Sequence, residues 1–131
     1  MTDWLVAQPS VRTRVFLTIK ILHTLIWAFF VACILALPVA GWLHRFDWAV
    51  VLTVLVLIEC GVLAANRWRC PMTDLAARCT VDRSENFDIY LPKWLARHNK
   101  TIFGTLLFVN ECLVLWAWLH YAASTCQRRS D

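Results

Sequence analysis

Two adjacent Glu-Cys pairs interrupt long apolar stretches of this chain: Glu59-Cys60 within VLVLIECGVL and Glu111-Cys112 within LLFVNECLVL. A carboxyl group at membrane depth is expensive, so it is satisfied by a partner or put to use. At the helical rise of 1.5 Å per residue, Glu59 falls roughly 10 Å, and Glu111 roughly 14 Å, from the end of its stretch nearer the 66–101 loop. His23 stands about one turn into the first apolar stretch, just beyond Lys20. With Asn110 these residues make a candidate polar cluster in one half of the bilayer: His23, Glu59, Asn110 and Glu111. Three chemistries fit such a cluster. The leading expectation is hydrogen-bonded glue between helices. The second is a binding site or proton relay. The third is a metal site on Glu59, Glu111 and His23 with Cys60 or Cys112, since carboxylate and imidazole suit several transition metals.

Other groups offer chemistry outside that cluster. His44 and His120 fall near the opposite face, where two histidines at matching depth can hold haem; polar side chains at an interface are the favoured reading. The 66–101 loop offers Cys70, Thr73, Asp74, Asp88 and His98. Cys70 follows Arg69 at the start of a short helical pattern, a setting that can activate a thiol, although a capping role for Cys70-Pro71-Met72-Thr73 is preferred. No GxSxG elbow, phosphate loop or HExxH is present, and no CxxCH haem attachment occurs.

The elements that must position these groups are legible in the hydropathy. Of 131 residues, 60% are hydrophobic, against about 45–50% apolar in an ordinary soluble domain. Apolar stretches at 21–42, 48–65 and 102–123 each approach the roughly 20 residues needed to cross a bilayer. At that length only helices satisfy their own backbone groups in lipid. The expectation is therefore an all-α integral membrane protein. It is a single domain of three transmembrane helices over 1–131, with an amphipathic interfacial segment in the loop, around 87–97. The first stretch is long for a signal peptide and is preceded by about twenty mostly polar residues, so it is expected to stay as an anchor. Pro38 in its last turns predicts a kink or an early stop. The link from Leu43 to Asp47 is short, so the helices it joins should be antiparallel neighbours.

Charge sets the orientation. Arg12, Arg14 and Lys20 precede the first span, and Arg67, Arg69, Arg78, Arg83, Lys93, Arg97 and Lys100 lie between the second and third. The opposite side has Arg45, Arg128 and Arg129. The positive-inside rule puts the N-terminus and the long loop in the cytoplasm and the C-terminus outside, periplasmic in a bacterial inner membrane. Six of the eight Trp fit this frame: Trp42, Trp48, Trp116 and Trp118 mark one boundary and Trp68 and Trp94 the other. The basic residues contact anionic lipid headgroups rather than nucleic acid. A cytoplasmic Cys70 and Cys79 are not expected to form a stable disulfide.

Three blocks resemble a family of small bacterial membrane proteins described as the domain of unknown function DUF2784. They are Leu22-His23 in the first span, Trp68-Arg69-Cys70-Pro71-Met72-Thr73-Asp74-Leu75 after the second, and Phe87-Asp88-Ile89-Tyr90-Leu91 further on. The likeness covers roughly residues 20–120. Glu59 stands further from the Cys-Pro pair than the family's acid does, and the loop between the last two blocks is shorter here. The resemblance implies a small helical bundle and a loop motif of Trp68, Cys70, Pro71, Thr73, Phe87 and Tyr90. It implies no substrate or cofactor. The physical reading beside it is a non-enzymatic accessory or assembly subunit, because three helices leave most of their surface to lipid, to a protein partner or to further copies. The alternative is a membrane redox, metal- or haem-binding protein.

Overall fold

The computed structural model describes residues 9–129. Among them the chain forms four helices and no strand: α1 (Pro9–Trp42), α2 (Phe46–Ala65), α3 (Pro71–Ala77) and α4 (Lys93–Arg128). Helices α1, α2 and α4 are long and apolar enough to cross a membrane. At 1.5 Å per residue α2 measures about 30 Å, the thickness of a hydrocarbon core, while α1 and α4 each exceed about 50 Å. The outer turns of α1 and α4 must therefore extend beyond the hydrocarbon. The apolar windows mark only the middle of these two helices, because polar flanks continue the same hydrogen-bond ladder.

Helix α1 runs past Pro38 for a further turn to Trp42; of the kink or early stop expected at Pro38, the stop does not occur. It ends in a tight reversal at His44, whose φ of 53° is left-handed. The His44 amide donates to the Gly41 carbonyl, and the Arg45 amide donates to Ala40 at 2.9 Å. This pair of bonds satisfies carbonyls that the helix end would leave open. A second left-handed stretch, Arg67 and Trp68, closes α2, with the Trp68 amide on the Leu63 carbonyl at 2.6 Å. Neither reversal uses glycine, the residue that usually takes this conformation without steric penalty.

The contacts of the chain group into two compact units, one of residues 1–28 with 60–99 and one of residues 29–59 with 100–131. The first has a core of Ile19, Ala76, Cys79 and Phe87, with Val15, Phe16, Met72 and Ala77 packed around it. The segment expected to be interfacial, which runs into the first turn of α4, divides by side chain: Phe87, Ile89 and Leu91 are buried, whereas Tyr90 and Trp94 are exposed. The second unit is built on Leu37, Ala40 and Ala49, with Leu52, Leu107 and Val114 against them. Its α1 and α4 segments approach closely at Gly41, where an added Cβ would meet Val114 Cγ2 at 3.3 Å.

Candidate functional site

In the first unit the loop after α3 is strapped to α1 by polar side chains spaced along one side of that helix. Arg12 donates to the Cys79 carbonyl at 2.8 Å. The Tyr90 amide donates to Thr24 Oγ1 at 3.0 Å, and the Lys20 ammonium lies 4.7 Å from the centre of the Tyr90 ring. Between these two anchors sits His23. Its Nδ1 is 3.1 Å from Asp88 Oδ2 and 3.2 Å from the Asp88 carbonyl. Trp27 adds a bond from its indole to Asn99 Oδ1 at 2.7 Å.

Asp88 is the centre of this arrangement. Only 4% of the residue is exposed, so its charge must be matched locally. Thr73 Oγ1 donates to Asp88 Oδ2 at 2.5 Å. Burial pushes the carboxyl upward, but the hydrogen bonds from His23 and Thr73 and the charge on the imidazole outweigh it, holding Asp88 below the usual carboxylate range. Thr73 is delivered by α3. Cys70 precedes Pro71, which favours extended backbone, and it adopts φ −66° and ψ 133° as the N-cap residue. The Thr73 amide then bonds the Cys70 carbonyl at 3.0 Å. The Cys70 thiol makes no capping hydrogen bond. Imidazole, hydroxyl and carboxylate thus meet in space, although they come from α1, α3 and the loop.

The three sequence blocks singled out around His23, Cys70 and Phe87 meet in this unit. Phe87 is in its core and Thr73 is bonded to Asp88, whereas Trp68, Pro71 and Tyr90 are exposed. Asp88 was visible only as one of several loop polar groups. No local signal pairs it with a histidine 65 positions away.

The remaining intramembrane residues belong to the second unit, where two of them are engaged. Asn110, 5% exposed, donates through Nδ2 to the Ile34 carbonyl at 2.7 Å. Pro38 explains this bond. Its ring nitrogen has no hydrogen to give to residue 34, so the helix leaves that carbonyl open, and Asn110 fills the vacancy from α4. Thr53 donates to Glu111 Oε1 at 2.7 Å. Glu59 is partly exposed on α2, flanked by exposed Leu57, Ile58 and Val62. No polar partner engages its carboxyl among the described residues. Nor do the described residues gather three or more His, Cys, Asp or Glu in a group able to hold a metal ion.

His44 and His120 border one open cleft of about 640 Å³, together with Trp42, Trp116 and Tyr121. His44 stacks on Tyr121 with ring centres 5.0 Å apart, and His120 lies 4.5 Å from the Trp116 ring. Each imidazole has an aromatic neighbour, as amphipathic side chains at a membrane boundary commonly do. Comparison with known proteins finds no matching family model, curated protein or solved structure.

Proposed function

We propose that this chain is an accessory or assembly subunit of a bacterial inner membrane, with its N-terminus cytoplasmic and its C-terminus periplasmic. It packs through α2 against a helix of a larger membrane protein. The resemblance to the DUF2784 family belongs to the same proposal. The observation that carries it is Glu59. An acidic or basic group in the middle of a span costs about 2.5–3.5 kcal/mol by insertion scales. Asn110 and Glu111 offset part of that cost by bonding within the chain, whereas Glu59 finds no such bond. A donor on a partner helix at the same depth would return about 1–2 kcal/mol. Only 11% of the apolar window of α2 is buried, so room for a partner exists along that helix.

Affinity purification in mild detergent, read by mass spectrometry, tests the reading. Wild type is expected to bring down a membrane protein that Glu59→Leu loses. Glu111→Leu, whose carboxyl is already engaged by Thr53, should retain it. The same proteins in the wild-type and Glu59→Leu preparations, or a complex holding nothing but further copies of this chain, would overturn the proposal.

A further inference from the structure

The second unit holds a cleft that the assembly reading does not use. We propose that the cleft bordered by His44, His120 and Tyr121 binds the head group of a membrane quinone, with the two imidazoles and the phenol as donors to the quinone carbonyls.

The cleft is shaped by a close approach of helices and by small side chains. Gly41, near the end of α1, brings that helix up to α4, where an added Cβ would meet Val114 Cγ2 at 3.3 Å. Small residues, Gly41 and Ala117, line the space of about 640 Å³, inside the roughly 300–1,000 Å³ of small-molecule sites. Two aromatic pairs border it. His44 and Tyr121 stack with ring centres 5.0 Å and planes 27° apart, and His120 lies 4.5 Å from Trp116. His44 holds a left-handed φ of 53°, a conformation that glycine would adopt without steric penalty. Each neutral imidazole carries one N–H and the phenol one O–H. Among the described residues no polar group engages either imidazole or the Tyr121 hydroxyl, so three donors border one cleft with their hydrogens unspent.

The lining selects the ligand by charge and shape. None of the described residues around the cleft is Lys, Arg, Asp or Glu, so a phosphate head group or an ammonium would enter without a counter-charge. Pro38, Leu113, Val114 and Ala117 make the rest of the wall apolar, and a polar solute from water gains nothing from them. What suits the site is a neutral, flat ring that packs on aromatic side chains, accepts hydrogen bonds at its edges and carries an apolar tail. A quinone has each of these: two carbonyl oxygens on opposite edges of one ring, and an isoprenoid chain. Trp42, Leu113 and Trp116 border the open cleft and are exposed, which gives the tail an apolar path out to hydrocarbon. The proposal is of binding alone and requires no change of oxidation state.

Titration of the purified full chain with decylubiquinone at a fixed concentration of mild detergent, read by tryptophan fluorescence, tests the proposal without any partner protein. Quenching is expected to saturate at one quinone per chain, because Trp42 and Trp116 border the site. Ala117→Phe fills the cleft and should leave only the linear quenching of quinone dissolved in the micelle. His44→Gly keeps the left-handed turn and His120→Leu keeps an apolar neighbour for Trp116; each removes one donor and should weaken binding about two- to tenfold, the worth of one hydrogen bond. Linear quenching of the wild type would overturn the proposal. So would saturable quenching that all three variants leave unchanged, displacement of the quinone by an equimolar amount of dioleoylphosphatidylglycerol, or a haem absorption band in the purified wild type. Glu59→Leu should bind decylubiquinone as the wild type does, so a failure of this proposal and a failure of the assembly reading are told apart.

Discussion

The bond between Asn110 and Ile34 can be tested through the proline that makes it necessary. Asn110→Leu keeps the side-chain volume but removes the donor to the Ile34 carbonyl, and Pro38 prevents the helix from supplying another. A buried acceptor left open costs about 1–3 kcal/mol, and hydrogen bonds between spans measure about 0.6–1.7 kcal/mol. The expected loss is therefore about 1–2 kcal/mol. Pro38→Ala restores an amide at position 38 that can reach residue 34 along the helix. In that background the carbonyl is no longer orphaned, and Asn110→Leu should cost little. The double-mutant cycle should show a coupling of about 1 kcal/mol, inside the range for residues sharing one partner. Unfolding in mixed micelles by titrated SDS, followed through tryptophan fluorescence, measures all four proteins. Equal costs of Asn110→Leu in the two backgrounds, within about 0.3–0.5 kcal/mol, would refute the reasoning, because the carbonyl would then not be what Asn110 serves.

Two other perturbations probe the two units separately. Asp88→Ala strands His23 and Thr73 and should cost about 3–5 kcal/mol of loop docking, seen as lost amide-exchange protection at Tyr90; Asp88→Asn, which keeps an acceptor for Thr73, should cost less. Because the native Asp88 carboxyl titrates below its ordinary value, its contribution is complete above about pH 3.9 and disappears as pH falls further through the native value. Protection should hold steady from about pH 7 to 5 and fall only below about pH 4. In the second unit Leu37 is fully buried, so Leu37→Ala should cost about 2–5 kcal/mol in the same SDS titration, while exposed Leu35→Ala should change little.

Particular residues show how far sequence reasoning reached. The three apolar stretches required helices, and helices stand there. Their true ends did not show, because Pro9 to Lys20 and Lys93 to Thr101 are polar enough to read as flanks, yet they simply prolong the ladder. Pro38 was legible as a backbone disturbance; its remedy was not, since nothing near Pro38 names Asn110. Glu59 and Glu111 look alike in sequence, each followed by cysteine within apolar residues. They differ in the structure because Thr53 faces Glu111 and no described residue engages Glu59. Cys70 drew attention for its place before Pro71, and His23 for its depth in a span. That His23 meets Asp88 follows from how the loop folds back on α1.

What the sequence determined is what depends on neighbours along the chain. Hydropathy over about twenty residues decides helix and membrane affinity, and Cys70-Pro71 decides where α3 begins. What the tertiary structure alone decided is which polar groups meet. His23 with Asp88 and Asn110 with Ile34 are joined across 65 and 76 positions. Those pairings depend on how helices pack, and packing follows side-chain shape and unsatisfied backbone groups summed over many residues, which no local pattern encodes.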